Sequence, residues 1–223
     1  MKKINISNTA RYQEVWQAFL NVSIDELERI ADVVIFKPKE TIIRNDLGTE
    51  MLFILLEGKA KVSLLHEDGK QSIVHFVQAG ELIGELSLLG VENQTKDVTA
   101  QSECLCLAIP FQKGQSMLLE NTIFLKQLSI YLAQKLLSRT NRLSEGQNYP
   151  IINRLAAFIL YTESNTHYHE KHTEVAEYLA VSYRHLLYTF QQLMESGMII
   201  KNKPGYDIVN RNSLQKLAGT IRF

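Results

Sequence analysis

A chain of 223 residues is long enough for two modest domains and well past the size at which disulfide or metal staples are needed. Its 24 Lys+Arg balance 24 Asp+Glu to a formal net charge of zero, which excludes the global basic field of a nonspecific nucleic-acid coat. No run approaches the roughly 18 apolar residues of a membrane-spanning helix, so no membrane partner is expected.

The start, MKKINISN, is basic, but no apolar core follows it as a secretory signal would require, and a cytoplasmic address is the simplest expectation. A helical stretch over about 10–31 comes first. From Val33 to Ile109 the pattern is short strands punctuated by turns: 33–36, 41–43, 51–56, 59–65, 71–77, 98–100 and 103–109. Asp68-Gly69, within 66–70, is a hairpin signal between two of them. Many short strands at regular spacing predict a small sandwich or barrel. Cys104 and Cys106 alternate along the last strand and face the same side. That is poor geometry for a mutual disulfide, since such residues lie about 6–7 Å apart with parallel side chains. They read either as small buried hydrophobes or as a redox pair working between subunits or through thiol modification.

A second helical stretch covers about 113–145, with Leu125, Leu128, Leu132, Leu136, Arg139 and Leu143 at three- and four-residue steps. This stripe either packs on the chain's own β-domain or forms a homodimer coiled coil. Residues 146–150, from Gly146 to Pro150, make a natural interdomain break.

Residues 172–194, HTEVAEYLAVSYRHLLYTFQQLM, read as two helices joined by a tight turn. Val175, Ala176 and Leu179 give the first helix an apolar face, Ala180-Val181 makes the turn, and Ser182 is a good N-cap for the second. In that second helix Leu186, Phe190, Leu193 and Met194 cluster on one side. Arg184, Tyr188 and Gln191 form a stripe opposite, flanked by His185 and Gln192. A helix with an apolar back and an arginine, amide and aromatic front suits the major groove of DNA. The alternative is an ordinary amphipathic helix pair with a solvated face. Gly197 stands where a helix C′ residue is wanted, and two short strands, 198–200 and 206–209, follow it. Lys203-Pro204-Gly205 between them predicts a type II turn, and Lys201 and Lys203 are placed to meet phosphates. Such a hairpin behind a helix of this kind is the wing of a winged helix.

His167, His169, Glu170 and His172 form a histidine-rich run before the first of these helices. Its spacing matches no helical zinc motif, and it reads as a solvated loop with no metal assigned. No Gly-rich phosphate loop, nucleophile elbow or carboxylate pair at helical spacing suggests an enzyme.

Taken with GELIGELSLL (80–89), the Thr95, Val98, Ala100 pattern and the helix-turn-helix, the architecture resembles the Crp/Fnr superfamily of transcription regulators over about 20–217. The segments ECLCLAIP (103–110), NRLAAFIL (153–160) and YHEKHTEVAEYLAVSYRHLLY (168–188) resemble its YeiL-like branch. The resemblance implies an α+β chain. Residues 1–112 are then a cyclic-nucleotide-binding-like sensor β-roll with flanking helices, 113–146 a long dimerisation helix and hinge, and 147–223 a winged helix-turn-helix. It implies a homodimer on a palindromic double-stranded DNA operator, Ser182, Tyr183, Arg184, His185, Tyr188, Gln191, Lys201 and Lys203 facing the DNA. RNA polymerase is a further candidate partner. The competing function is a redox or small-molecule sensor module whose winged helix binds a protein.

In nucleotide-binding members of the family, the segment matching Gly84-Glu85-Leu86 grips ribose and phosphate, and a following arginine and hydroxyl residue hold the phosphate. Here Thr95 fits the hydroxyl position, but the arginine position falls on Gln94 and the loop 90–94 is one residue short. A neutral amide does not replace a guanidinium's bidentate, charge-assisted bond. Gly84, Glu85, Leu86, Gln94 and Thr95 therefore stand as an effector pocket that is not expected to use a cyclic nucleotide. The iron–sulfur cluster known in the Fnr branch normally takes four cysteine ligands, and two cysteines cannot supply them within one subunit.

Overall fold

Two antiparallel sheets close on one apolar core in the N-terminal half, and the central strands of one are buried nearly throughout their length. A computed structural model describes residues 2–4, 12–65, 71–92, 94–163 and 165–221, and the hairpin signal at 66–70 lies outside the described residues. The chain opens with β1 (Lys2–Ile4), α1 (Gln13–Leu20) and α2 (Ile24–Ile30). The expected helical stretch holds two helices, parted by Asn21 in the left-handed region at φ 43°. Ser23 then restarts the helix through a capping box: its hydroxyl accepts the Glu26 N–H, and Glu26 accepts the Ser23 N–H at 2.9 Å.

The strands follow as β2 (Asp32–Phe36), β3 (Thr41–Ile43), β4 (Met51–Glu57), β5 (Lys59–Leu65), β6 (Gln71–Gln78) and β7 (Leu82–Ile83). The short helix α3 (Glu85–Leu88), β8 (Asp97–Ala100) and β9 (Cys104–Pro110) complete the series. One sheet has the order β1-β2-β9-β4-β7, the other β3-β8-β5-β6. Phe36, Phe53, Leu55 and Cys106 from the first meet Ile43, Ala60, Val77 and Val98 from the second. Although only Gly58 separates β4 from β5, the two strands lie in different sheets. Gly58 makes the switch at φ +99°, where a Cβ would stand 2.2 Å from the Glu103 carbonyl oxygen. This is the expected β-roll.

Two helices leave the roll, α4 (Phe111–Glu120) and α5 (Thr122–Asn148). The break is at Asn121, whose side-chain oxygen accepts the N–H groups of Ile123 and Phe124 at 2.9 and 3.1 Å. The chain divides into two compact units, Met1–Tyr131 and Leu132–Phe223, with the boundary inside α5. The helix runs through Gly146 to Asn148, so the expected break at 146–150 shrinks to Tyr149 and Pro150. The leucine stripe is divided. Phe124 is buried and Leu128 is only 2% exposed, while the Tyr131 hydroxyl bonds both backbone groups of Leu82. Leu128 is thus covered within its own unit, whereas Leu136 is 66% exposed, and Ile123, Ile130 and Leu137, seven residues apart, are exposed as well, Leu137 at 63%.

The second unit continues with α6 (Ile151–Thr162), β10 (His167–Tyr168), α7 (His172–Tyr178), α8 (Tyr183–Glu195), β11 (Ile199–Asn202), β12 (Gly205–Ile208) and α9 (Arg211–Ala218). Its sheet has the order β10-β12-β11. Among the described residues no helix is long and apolar enough to cross a membrane.

The type II turn expected at Lys203-Pro204-Gly205 is not what forms. Asn202 pairs with Gly205 across a two-residue turn, and the Lys203–Pro204 peptide is cis. Gly205 serves β12 instead, because the antiparallel neighbour β10 runs so close that a Cβ there would meet the Tyr168 carbonyl oxygen at 1.8 Å. Gly205→Ala should therefore destabilise this unit by about 1–3 kcal/mol through overpacking, read as faster hydrogen exchange along β10 and β12. Unchanged protection would remove this account of the glycine.

Candidate nucleic-acid interface and effector hollow

The α8 helix begins where a side chain satisfies its first free N–H. Ser182 is the N-cap, and its hydroxyl accepts the His185 N–H at 3.2 Å. The turn before it passes through Ala180 in the left-handed region at φ 53°, and the Val181 N–H returns to the Ala176 carbonyl at 2.9 Å. From α6, Arg154 Nη1 donates to the Leu179 carbonyl at 2.8 Å, tying the turn to the helix behind it. Leu186, Phe190 and Leu193 are buried, and Thr189 is buried with them, its hydroxyl donating to the His185 carbonyl at 2.8 Å. Tyr183, Arg184, His185, Tyr188 and Gln191 are all exposed on the other side.

An aromatic stack holds this helix to the wing. Phe190 lies 4.7 Å from Tyr206 at 13° and 4.4 Å from His172 at 17°, with the buried Tyr168 ring 5.6 Å away. Burial, together with the nearby Lys201 charge, lowers the His172 pKa and favours the neutral ring that stacks. At the hairpin, Asp207 is 2.6 Å from His167 Nδ1 and accepts from Asn202 Nδ2 at 2.6 Å. Those two hydrogen bonds hold its carboxyl below the usual carboxylate range. Lys201 and Lys203 stay exposed beside this latch. The histidine run is thereby divided: His167 joins the latch, His169 stacks on His167 at 5.8 Å, and His172 joins the Phe190 stack. Among the described residues, no three His, Cys, Asp or Glu side chains converge as metal ligands.

In the β-roll an open polar hollow of about 450 Å³ is lined by residues 45–49 together with Ser87, Glu92, Gln94 and Thr95. Of the five expected effector residues, Gln94 and Thr95 line it, and Gly84, Glu85 and Leu86 do not. Gly84 turns the chain into α3 at φ +90°, where a Cβ would stand 2.5 Å from the Met51 carbonyl oxygen, and Glu85 is buried. The Thr95 hydroxyl donates to the Arg44 carbonyl at 3.2 Å. Both carboxylates of the wall already hold cations: Asp46 pairs with Arg44 at 2.6 Å and Glu92 with Lys96 at 2.7 Å. Ser87 also donates to Glu92, at 3.3 Å. The hollow is polar, and among the described residues its own lining presents no uncommitted cation.

The redox reading of the cysteines requires an accessible, partly ionised thiol. Cys104 and Cys106 are free thiols, both 0% exposed in the core between the sheets. Cys104 donates to the Lys59 carbonyl at 3.2 Å, and burial pushes both thiols up, Cys106 far up. In this closed roll they lack what that role needs.

Comparison with known proteins agrees with this geometry. Residues 33–121 match the family model of the cyclic nucleotide-binding domain. The regulatory protein YeiL of Escherichia coli O157:H7 is 40% identical over 183 residues, covering 82% of this chain and 84% of that protein. The chain belongs to the Crp/Fnr family of transcription regulators. Within the family it falls in the YeiL-like branch. The cAMP-activated global regulator CRP of Pasteurella multocida is 28% identical, over 56% of this chain and 60% of its own. A CRP-family regulator from Thermus thermophilus superposes with TM-score 0.72 at 19% identity, covering 85% of this chain and 98% of that one. A Crp/Fnr regulator from Eubacterium rectale gives 0.76 at 12%, covering 93% and 99%; both share the fold. These relatives are transcription regulators, and this family member is one too, not an enzyme.

Two features of this Crp/Fnr regulator lay beyond the sequence reading. The hollow recruits residues 45–49 from the β3–β4 connection, which no local motif marks. The exposed stripe of α5 did have a signal, the seven-residue spacing of Ile123, Ile130 and Leu137.

Proposed function

We propose that the protein is a homodimeric, sequence-specific DNA-binding regulator acting in the cytoplasm on a palindromic operator, and that its sensor roll does not use cAMP. The observation that carries the DNA reading is the front of α8, where Tyr183, Arg184, Tyr188 and Gln191 stand exposed on a helix capped by Ser182 and backed by a wing. Arg184 takes a base edge, guanine by the geometry of its fork. Tyr183 and Tyr188 add base or phosphate contacts, His185 flanks them, and Lys201 and Lys203 meet phosphates. The dimer rests on the exposed Ile123, Ile130 and Leu137 of α5, an apolar stripe at heptad spacing that two copies would cover together. Against cAMP stand Gln94 in the arginine's place, the Thr95 hydroxyl committed to Arg44, and the Asp46 and Glu92 carboxylates in the hollow.

Arg184→Ala should cost about 1–3 kcal/mol of operator affinity and relax the preference at one base pair per half-site. Equal affinity and equal specificity in that variant would remove the assignment. Ile130→Glu combined with Leu137→Glu should sediment as a monomer and lose most operator affinity, because one half-site supplies only part of the binding free energy. Wild-type protein that is monomeric at micromolar concentration would sink the dimer. Calorimetric titration with cAMP should give no micromolar binding, and a micromolar isotherm would overturn that part of the reading.

A further inference from the structure

The polar stripe of α8 leaves one side chain without a task. Leu187 is 39% exposed, and Tyr183, four residues earlier, is exposed too. Positions four apart on a helix are neighbours, so the Tyr183 ring and the Leu187 side chain form one apolar shoulder. At 100° per residue this shoulder lies between the buried Leu186 and Phe190 and the Arg184–Tyr188 stripe. One turn further on, Gln191 is drawn along its own helix, its Nε2 donating to Glu195 Oε1 at 2.8 Å. That amide nitrogen is thereby turned away from the fork with which a free glutamine reads adenine.

Three large side chains with apolar surface, Tyr183, Leu187 and Tyr188, are therefore exposed within the first two turns of α8, where Arg184 is the one permanent cation. The largest apolar group on any base edge in the major groove is the 5-methyl group of thymine. An aliphatic side chain brought to that edge gains more by contact with this methyl than from any of the other three bases.

We propose that Leu187, backed by the ring of Tyr183, is a specificity-determining residue that accepts a thymine 5-methyl group. The proposal rests on the DNA-binding reading above. It commits the operator to a thymine in each half-site, next to the base pair taken by Arg184. Leu187 supplies no hydrogen bond, so what it reads is shape and methylation.

The test separates the methyl from every other feature of the base. An operator is first selected by the wild-type protein from a pool of randomised duplexes, and each thymine is then replaced singly by deoxyuridine, which lacks only the 5-methyl group. At one position per half-site the replacement should weaken wild-type binding about fourfold, the value of one buried methyl group. Leu187→Ala should bind the thymine and deoxyuridine operators equally, while Leu187→Met, which keeps an apolar reach, should restore the difference. The deoxyuridine arm alters only the DNA, so it does not depend on any variant's folding. Wild-type binding that ignores deoxyuridine at every position, or a penalty that persists undiminished in Leu187→Ala, overturns the Leu187 assignment and leaves the DNA reading standing. A pool from which nothing is enriched sinks the DNA reading itself, and this assignment with it.

Discussion

The stack centred on Phe190 is the contact on which the proposed DNA surface depends. Phe190 belongs to α8, His172 to α7 and Tyr206 to the wing, so one ring ties α8 to two other elements. Aromatic pairs of this kind add about 0.5–1.5 kcal/mol each beyond the area they bury. Their larger effect is geometric. With the back of α8 clamped at 4.4 and 4.7 Å, the residues on its front are presented as one rigid face, and Lys201 and Lys203 are carried at a fixed distance from it. Rigid presentation is what discrimination between bases requires, since a loosely held helix would trade one contact for another.

The β-roll faces the opposite demand. Its interior is filled by its own side chains, Phe36, Phe53, Val77 and Val98 among them, and a polar hollow lies between the β3–β4 connection and the loop after α3. Family membership brings the fold and does not by itself name the ligand. The glycine that turns the chain into α3 remains because a Cβ would collide with the Met51 carbonyl, which is a packing reason independent of any nucleotide. The wall of the hollow carries Asp46 and Glu92, each already paired with a cation, Arg44 and Lys96.

Local chemistry was the part legible in the sequence. The Ser182 cap, the left-handed Gly197 and the alternating strands each depend on a few adjacent residues, and the helix-turn-helix, the wing and most strand spans follow from them. What needed the structure was non-local. Nothing in 51–65 says that β4 and β5 part into different sheets, because pairing is decided by β9 and β8, more than thirty residues away. A leucine stripe announces that a face will be covered and not by what. Leu128 lies against its own roll, and the isoleucines stand on the other face. The Pro204-Gly205 turn failed for a related reason: the glycine answers to β10 across the sheet, and that demand overrides the turn preference.

The buried cysteines carry a practical consequence. Both sit on β9, which lies between β2 and β4 in its sheet, so a thiol reagent meets them only when the roll opens. Their labelling rate is then a clock for that opening, ticking in the unmodified protein. Any small molecule that binds the closed roll alone slows the clock by one plus its concentration over its Kd. A compound collection can be screened on that rate without knowing what class of molecule the sensor receives, and the reporter is already in the chain.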